Sequence, residues 1–258
     1  MLLICPLTVC FEVMSTSGKP MRLNDIADES GVSSSTAMRI LNTLIANEYA
    51  RQNEDTLLYS LTMKFLKIGT NIRENLSVNQ LLHPYLQEIT MRLNLSCALA
   101  ILDGTNLIYI DECISSKQMI RFYHHLGHVF TPHTNASGKV FLSQFSKAEL
   151  ADYCKHHKFE PVTPKTIASA AELAKDLALT LKRGYALNDE ENIPGTRCFA
   201  VPIYNDKGHI VASVSVSGTL FQIPLEQIPS MVCVVNSILD EFYREYSPLL
   251  ILNNIFDM

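Results

Sequence analysis

The sequence predicts a two-domain protein, with an N-terminal all-α winged helix-turn-helix and a C-terminal α+β domain built on an antiparallel sheet. A helix–glycine–helix pattern in residues 24–46 predicts the first domain. Two pairs of strand-like runs, each joined by a short turn and mixed with helical segments, predict the second. With 258 residues and 47% hydrophobic positions, the chain is long enough to bury two cores.

Composition excludes several classes of protein. The formal charge of −5 rules out a polybasic protein that binds nucleic acid through bulk charge alone. The seven cysteines form no Cys-x-x-Cys pair, which indicates buried thiols in a reducing compartment rather than a disulfide framework or a structural zinc site. The apolar residues 1–14 precede any basic residue and are fewer than the ~20 that a membrane span needs. We therefore expect a first packed helix, a cytoplasmic protein and no membrane association.

In the first domain, two short helices are predicted to meet at a glycine turn. Asn24 is the predicted N-cap of the first helix and Gly31 marks its end, while Ser33 or Ser34 caps the second. Helical spacing predicts the buried stripe of the second helix: Ala37, Ile40, Leu41, Leu44 and Ile45. A polar tip in residues 53–55 then lies between two short extended runs, which predicts a wing.

The outer face of the second helix is polar, and this face is predicted to touch DNA. Short hydroxyl side chains and an arginine near the start of such a helix suit contacts with phosphates and base edges. The predicted DNA-binding residues are Ser34, Ser35, Thr36, Arg39, Asn42 and Thr43. An ordinary helical hairpin with a solvated polar face is the alternative, but the combination of cap, glycine turn and wing favours DNA binding.

Charge within the first domain predicts an oligomer. Residues 1–61 carry four basic and seven acidic side chains, a formal charge of −3. Because phosphate neutralisation supplies much of the affinity for DNA, a single copy is expected to bind weakly. An apolar stripe either pairs with a second copy or packs within the chain: Leu66, Ile68, Ile72, Leu76, Leu81 and Leu82.

The rest of the chain is predicted to alternate helices and hairpins. Residues 62–95 have the pattern of one or two helices, with an interruption near His83-Pro84. Two hairpins are predicted, which pair residues 97–103 with 106–114 and residues 197–204 with 209–217. Four further helices are expected at residues 138–145, 147–157, 168–183 and 225–245.

Three stretches of the chain resemble the IclR family of bacterial transcription regulators. They are IADESGVSSSTAMRILNTLIANEYA, with Arg39 at the family's arginine position, then PHTNASGKVFLSQFS, and finally GYALNDEENIPGTRCFAVPIYNDKGHIVASVSVSG. The resemblance implies a DNA-binding domain in residues 1–61, a linker helix in 62–78 and an effector-binding domain in 79–258. It also implies a cytoplasmic repressor of a catabolic operon, a homodimer or dimer of dimers on double-stranded operator DNA. Such a regulator is not an enzyme and needs no cofactor.

The same resemblance implies a pocket for a small carboxylate or sugar-acid effector. Strand alternation places Ser213, Ser215 and Ser217 on one face, and this pattern by itself favours a solvated surface. By resemblance, the pocket is lined by the amides of Ala136 and Ser137 and by Asn188, Cys198, Ser215 and Ser217. Asn188 stands where some relatives carry an aspartate, which changes the polar group offered to the effector.

Two other classes of protein are compatible with parts of the sequence. A cysteine-dependent enzyme would use Cys198 as nucleophile, His133 as base and Asp189 as orienting acid, although no nucleophile-elbow glycines flank Cys198. A small-molecule sensor that acts through a protein partner would account for the acidic first domain. The histidines within 124–128 and 156–157 lack complete ligand spacing, so we expect surface histidines and no metal site.

Overall fold

The computed structural model describes residues 6–75, 77–118, 120, 122–205 and 207–246, and of these residues 69, 70, 72–75, 77–79 and 246 by their backbone alone. The chain divides into two compact units, the first of which ends at Asn75. Each unit has a core of its own. None of the described helices is both long enough and apolar enough to cross a membrane.

The first unit is a helix-turn-helix followed by a two-stranded wing. Its elements are α1 (Pro6–Thr16), α2 (Leu23–Glu29), α3 (Ser34–Ala46), β1 (Ala50–Gln52), β2 (Tyr59–Leu61) and α4 (Lys64–Asn75). Cys10, Ile26, Leu41 and Tyr59 are buried together and join three helices to the wing. Strands β1 and β2 pair antiparallel, as the polar tip between them predicts.

The turn between α2 and α3 follows the prediction closely. Gly31 has a φ of +66°, the left-handed conformation that glycine adopts without a steric penalty. Ser33 is the N-cap of α3, where its hydroxyl accepts a hydrogen bond from the Thr36 amide at 3.3 Å. Ala37, Leu41 and Leu44 are buried, so the inward stripe of α3 is confirmed.

The predicted cap of α2 is wrong. Arg22, not Asn24, holds the N-cap position, because main-chain hydrogen bonds between Met21 and Tyr59 keep the chain extended up to residue 21. Asn24 instead lies in the first turn of α2, where its side-chain oxygen accepts a hydrogen bond from the Ser34 hydroxyl at 3.2 Å. This contact ties α2 to the start of α3.

The second unit is an α+β domain with a single six-stranded sheet among its described residues. Its helices are α5 (Ser77–Leu93), α6 (Ala136–Leu142), α7 (Lys147–His156), α8 (Ala170–Arg183) and α9 (Ile228–Tyr246), with short 3-10 helices at Pro132–Thr134 and Leu225–Gln227. Its strands are β3 (Ser96–Asp103), β4 (Asn106–Cys113), β5 (Val129–Phe130), β6 (Ala186–Asp189), β7 (Thr196–Tyr204) and β8 (Ile210–Thr219). The strand order is β5-β4-β3-β8-β7-β6, with all neighbours antiparallel.

The two faces of this sheet have different partners. On one face, Val214 and Val216 of β8 pack with α5 and α9 in the main core. Since successive side chains alternate across a strand, Ser213, Ser215 and Ser217 lie on the opposite face, which α6 covers. All three serines are buried, so the solvated-surface interpretation is wrong.

Two further expectations need correction. Helix α5 runs through Pro84 without the predicted interruption, because packing of its apolar side chains on the sheet outweighs the lost main-chain hydrogen bond. Buried thiols are found only in part: Cys10, Cys97 and Cys113 are buried, whereas Cys154 and Cys198 are half-buried, Cys233 is exposed and Cys5 lies outside the described residues.

Candidate functional site

The outer face of α3 is solvent-facing, as DNA contact requires. Ser34, Ser35, Arg39, Asn42 and Thr43 are exposed, while Thr36 is half-buried. Three hydroxyls at the start of the helix bond to one another, since Ser33 Oγ lies 3.0 Å from Ser35 Oγ and 2.9 Å from Thr36 Oγ1.

Other hydroxyls on this face already have intramolecular partners. Thr43 donates to the Arg39 carbonyl at 2.9 Å, and Ser34 donates to Asn24. Arg39 and Asn42 make no side-chain hydrogen bond with any described residue. They are therefore the two side chains of the predicted set whose polar groups need no rearrangement to meet DNA.

A second candidate site lies between the sheet and α6 in the second unit. The hydroxyls of Ser137, Ser213 and Ser215 are buried, and none has a hydrogen-bond partner among the described residues. Because an unpaired buried hydroxyl costs free energy, three of them in one region indicate a place where a ligand or water supplies the missing partner.

Tyr109 on β4 joins this group, although nothing in its apolar surroundings in the sequence marks it. Burial raises the pKa of its phenol, the nearby Cys198 thiol raises it further, and the hydroxyls of Ser137 and Ser215 oppose that shift. The phenol therefore lies close to Ser137, Ser215 and Cys198, although it makes no hydrogen bond of normal geometry with either serine. Strand order explains the meeting, because β3 alone separates β4 from β8.

His124 lies in the same region, against Ser217, and is buried. The expectation of a surface histidine is therefore wrong at this position. The His124 imidazole is buried, with Nε2 3.1 Å from the Ser217 hydroxyl and Nδ1 3.3 Å from Glu112 Oε2. The hydrogen bond from His124 lowers the pKa of the Glu112 carboxyl. Ser217, a predicted effector contact, thus already has an imidazole partner.

Two neighbouring histidines lie at the surface, as predicted. His125 and His128 are exposed. No group of three or more metal-ligating side chains occurs among the residues that the structure describes.

Asn188 is buried beside Cys198, its partner in the β6–β7 register. Its amide nitrogen donates to the Thr134 carbonyl at 2.7 Å, and its side-chain oxygen accepts from the Glu191 amide at 3.0 Å. Both polar ends therefore fasten the main chain around the pocket.

Lys139 is a buried cation outside the predicted set of site residues, although it directly follows Asn135-Ala136-Ser137-Gly138 in the sequence. Its side chain is 0% exposed, and its Nζ lies 2.7 Å from Glu191 Oε1 and 3.0 Å from Asp176 Oδ2. Gly138 beside it has no room for a side chain, since a Cβ would lie 2.2 Å from the Pro132 carbonyl oxygen. This close approach fixes α6 against the preceding 3-10 helix.

The residues of the alternative cysteine-enzyme interpretation have other partners. His133 Nδ1 lies 2.8 Å from the Tyr153 hydroxyl, and Asp189 accepts hydrogen bonds from Arg197. Burial raises the pKa of the Cys198 thiol, which opposes formation of a nucleophilic thiolate. The structure therefore does not assemble the proposed triad.

An open cleft of about 900 Å³ borders this region. Its lining includes Glu112, Phe122, Ile193, Thr196 and Thr219. Glu112 is the carboxylate that holds His124, and Thr219 lies two residues beyond Ser217 on β8. The cleft therefore lies beside the residues that neighbour His124 and Ser217 in the contact network and in the strand.

A winged helix-turn-helix joined to an α+β domain with buried, unpaired hydroxyls has the architecture of a DNA-binding transcription regulator. The family model described as "Bacterial transcriptional regulator IclR C-terminal" matches residues 71–238, and the "IclR helix-turn-helix domain" matches residues 11–54. The chain belongs to the IclR family. This family consists of transcription regulators, so the protein is not an enzyme.

Similar proteins agree with this assignment. The transcriptional regulator XynR of Escherichia coli K12 is 32% identical over 206 residues, which cover 80% of this chain and 81% of XynR. The acetate operon repressor of Salmonella typhimurium is 27% identical over 226 residues, 87% of this chain and 82% of the repressor. An IclR homologue from Microbacterium hydrocarbonoxydans, solved in complex with 4-hydroxybenzoate, shares the fold with a TM-score of 0.75 at 18% identity, covering 93% of this chain and 98% of that one.

Proposed function

We propose that this regulator is a cytoplasmic repressor of a catabolic operon, and that a small organic-acid or sugar-acid effector modulates its binding to operator DNA. The observation that carries the proposal is the set of buried, unpartnered hydroxyls at Ser137, Ser213 and Ser215, beside Tyr109, in a chain whose other unit is a winged helix-turn-helix. Hydroxyls offer directional hydrogen bonds without a full charge, which suits a hydroxylated acid.

Two relatives support the effector and the direction of control. The Microbacterium homologue holds 4-hydroxybenzoate, which is a carboxylate with one hydroxyl. The Salmonella relative is a repressor of the acetate operon. We assign the effector contacts to the amides of Ala136 and Ser137 and to the side chains of Cys198, Ser215 and Ser217, with Asn188 holding the pocket wall.

Replacing both Ser215 and Ser217 with alanine is expected to weaken effector binding by about fivefold to a hundredfold. Each lost hydrogen bond costs roughly 0.5–1.5 kcal/mol, and about 1.4 kcal/mol is tenfold in affinity. A thermal-shift screen of small acids that includes 4-hydroxybenzoate and D-gluconate identifies a ligand, and calorimetry then compares the variants.

The control for this experiment is Ser237→Ala on the exposed surface of α9, which should bind the acid like the wild type. DNA affinity without the acid should also be unchanged in the double variant, because the two substitutions leave every residue predicted to bind DNA unaltered. A double variant that binds the acid with full affinity would refute the pocket assignment.

Operator recognition is assigned to the exposed face of α3, with Arg39 on the phosphate backbone. Arg39→Ala is expected to weaken binding to all DNA sequences by a similar factor and to reduce the salt slope by about one. Fluorescence anisotropy across a salt titration measures both effects. Arg244→Ala, which removes the same charge from α9 in the other unit, is the matched control and should leave both unchanged. An unchanged salt slope in Arg39→Ala would mean that another element contacts DNA.

The protein is proposed to act as a homodimer or a dimer of dimers. The first domain carries a formal charge of −3, so a single copy is expected to bind DNA weakly and two or more copies on one operator are needed. Leu66 and Ile68 on α4 are exposed and offer an apolar pairing surface, whereas Leu82 is buried within the second unit. The side chain of Ile72 and the whole of Leu76 lie outside the described residues. Light scattering at micromolar concentration should show a dimer or larger species that Leu66→Glu weakens. A wild-type monomer with full DNA affinity would contradict the proposal.

A further inference from the structure

Two cysteines face each other across neighbouring strands of the sheet, away from the pocket. Cys97 on β3 is the direct partner of Cys113 on β4 in the antiparallel register. Directly opposite residues of an antiparallel pair project to the same face, and both thiols belong to the core beneath α5. Thr90 of α5 touches both residues, with its hydroxyl 3.2 Å from the Cys97 sulfur and 3.3 Å from the Cys113 carbonyl oxygen.

This register meets the distance requirement of a disulfide bond. Opposite Cα atoms in an antiparallel pair are about 4.5–5.5 Å apart, and disulfides span Cα distances of about 4.4–6.8 Å. The Cα separation typical of this register therefore falls within the range that a disulfide bond spans, and the two side chains project to the same face.

The two thiols differ in access and in acidity. Cys113 is 8% exposed and borders a cleft of about 670 Å³ between the end of α5 and residues 114–117, whereas Cys97 is 0% exposed. Contact with Cys97 lowers the pKa of the Cys113 thiol, while contact with Cys113 and burial raise the pKa of Cys97. The thiolate is the reactive form, and Cys113 is the thiol beside the cleft. Cys113 is therefore expected to react first with an oxidant that enters the cleft.

We propose that Cys97 and Cys113 form a modification site at which hydrogen peroxide produces an intramolecular disulfide. The Cys113 thiolate attacks one peroxide oxygen, the O–O bond breaks, and a sulfenic acid forms while the departing hydroxide takes a proton and becomes water. The Cys97 sulfur then attacks the Cys113 sulfur, an S–S bond forms, and the expelled hydroxide leaves as water with the Cys97 proton. The two thiols are oxidised by two electrons in total, and one peroxide is reduced to two waters.

Oxidation removes a hydrogen bond between the sheet and α5. In the reduced state the Cys97 thiol donates to the Leu86 carbonyl at 3.2 Å and lies against the Thr90 hydroxyl. A disulfide sulfur has no proton to donate, so the contact with Leu86 is lost. Helix α5 begins at Ser77, two residues after the end of the first unit, so the site acts on the helix through which the chain enters the second unit.

The test uses the full-length reduced protein, treated with a stoichiometric amount of hydrogen peroxide and quenched in acid. After unfolding and alkylation with N-ethylmaleimide, intact mass and peptide mapping locate each modified cysteine. We expect two fewer alkylated cysteines than in the untreated protein and a peptide pair linked through Cys97 and Cys113. In Cys97→Ser, dimedone should label Cys113 because the resolving thiol is missing.

Cys233→Ser, which removes an exposed cysteine of α9, is the matched control and should form the same disulfide. The proposal is overturned if Cys97 and Cys113 both remain alkylated in the wild type while Cys233 is oxidised. It is equally overturned if either thiol of the pair is found linked to a different cysteine.

Discussion

Replacing Lys139 with alanine is expected to lower the free energy of unfolding of the second unit by about 3–5 kcal/mol. The Lys139 side chain is fully buried, and its ammonium group lies within 3.0 Å of carboxylate oxygens from both Asp176 and Glu191. Burial already raises the pKa of the Glu191 carboxyl, and the attraction of Lys139 opposes that shift. Without the lysine, a buried carboxylate loses its counter-charge and must take up a proton or draw in water.

Urea denaturation of the full chain, followed by far-ultraviolet circular dichroism, measures this loss, since the chain contains no tryptophan for fluorescence. The matched control is Lys165→Ala. Lys165 also contacts two carboxylates, Asp189 and Glu190, but its side chain is 51% exposed. Because solvent screens such a pair, this variant should lose far less stability. Equal losses in the two variants would show that burial does not increase the contribution of the Lys139 ion pairs to the free energy of unfolding.

The same substitution is expected to loosen the pocket. Lys139 lies one turn into α6, and Glu191 lies just beyond β6, so their ion pair joins two walls of the site. Hydrogen exchange measured by mass spectrometry should therefore increase in residues 136–142 and 188–195 of the Lys139→Ala variant. An increase confined to these residues would link the buried ion pair to the proposed effector site.

Local features of the first unit could be predicted because they depend on neighbours in the chain. The Ser33 cap and the Gly31 turn involve hydrogen bonds and dihedral angles within three residues. The cap of α2 could not be predicted in this way. Its position is set by Met21 pairing with Tyr59, a contact that exists only after the wing has folded.

The residues of the candidate pocket could likewise be predicted only in part. Strand alternation places Ser215 and Ser217 on one face, and the resemblance gives that face a role. His124 and Tyr109 have no such local signal, because they reach the serines only through the strand order β4-β3-β8. The Lys139–Glu191 pair likewise joins residues 52 positions apart. These contacts follow from tertiary topology, which a single sequence does not encode in any local pattern.

His133 is the residue through which acid is expected to destabilise the second unit. Its imidazole is buried, and the Tyr153 hydroxyl accepts the His133 main-chain N–H at 3.2 Å while lying 2.8 Å from Nδ1. The phenol can donate its own proton to Nδ1 only when the imidazole is neutral, because a charged imidazole has no free acceptor nitrogen. Burial, with the charges of His157 and Lys139, lowers the pKa of His133 to about 4.

The free energy of unfolding is therefore expected to fall as the pH drops from about 6.5 toward 4, by up to roughly 3 kcal/mol. Stability falls because the unfolded chain takes up a proton at His133 with a pKa of about 6.5, whereas in the folded protein the pKa of His133 is about 4. Above pH 7 the imidazole is neutral in both states and the contribution vanishes.

His133→Asn keeps an acceptor for the Tyr153 hydroxyl but cannot titrate, so its stability should change less over this range. Urea denaturation at a series of pH values measures the difference, with exposed His156→Asn as the control that should follow the wild type. If wild type and His133→Asn lose stability in parallel, another group is responsible for the acid sensitivity.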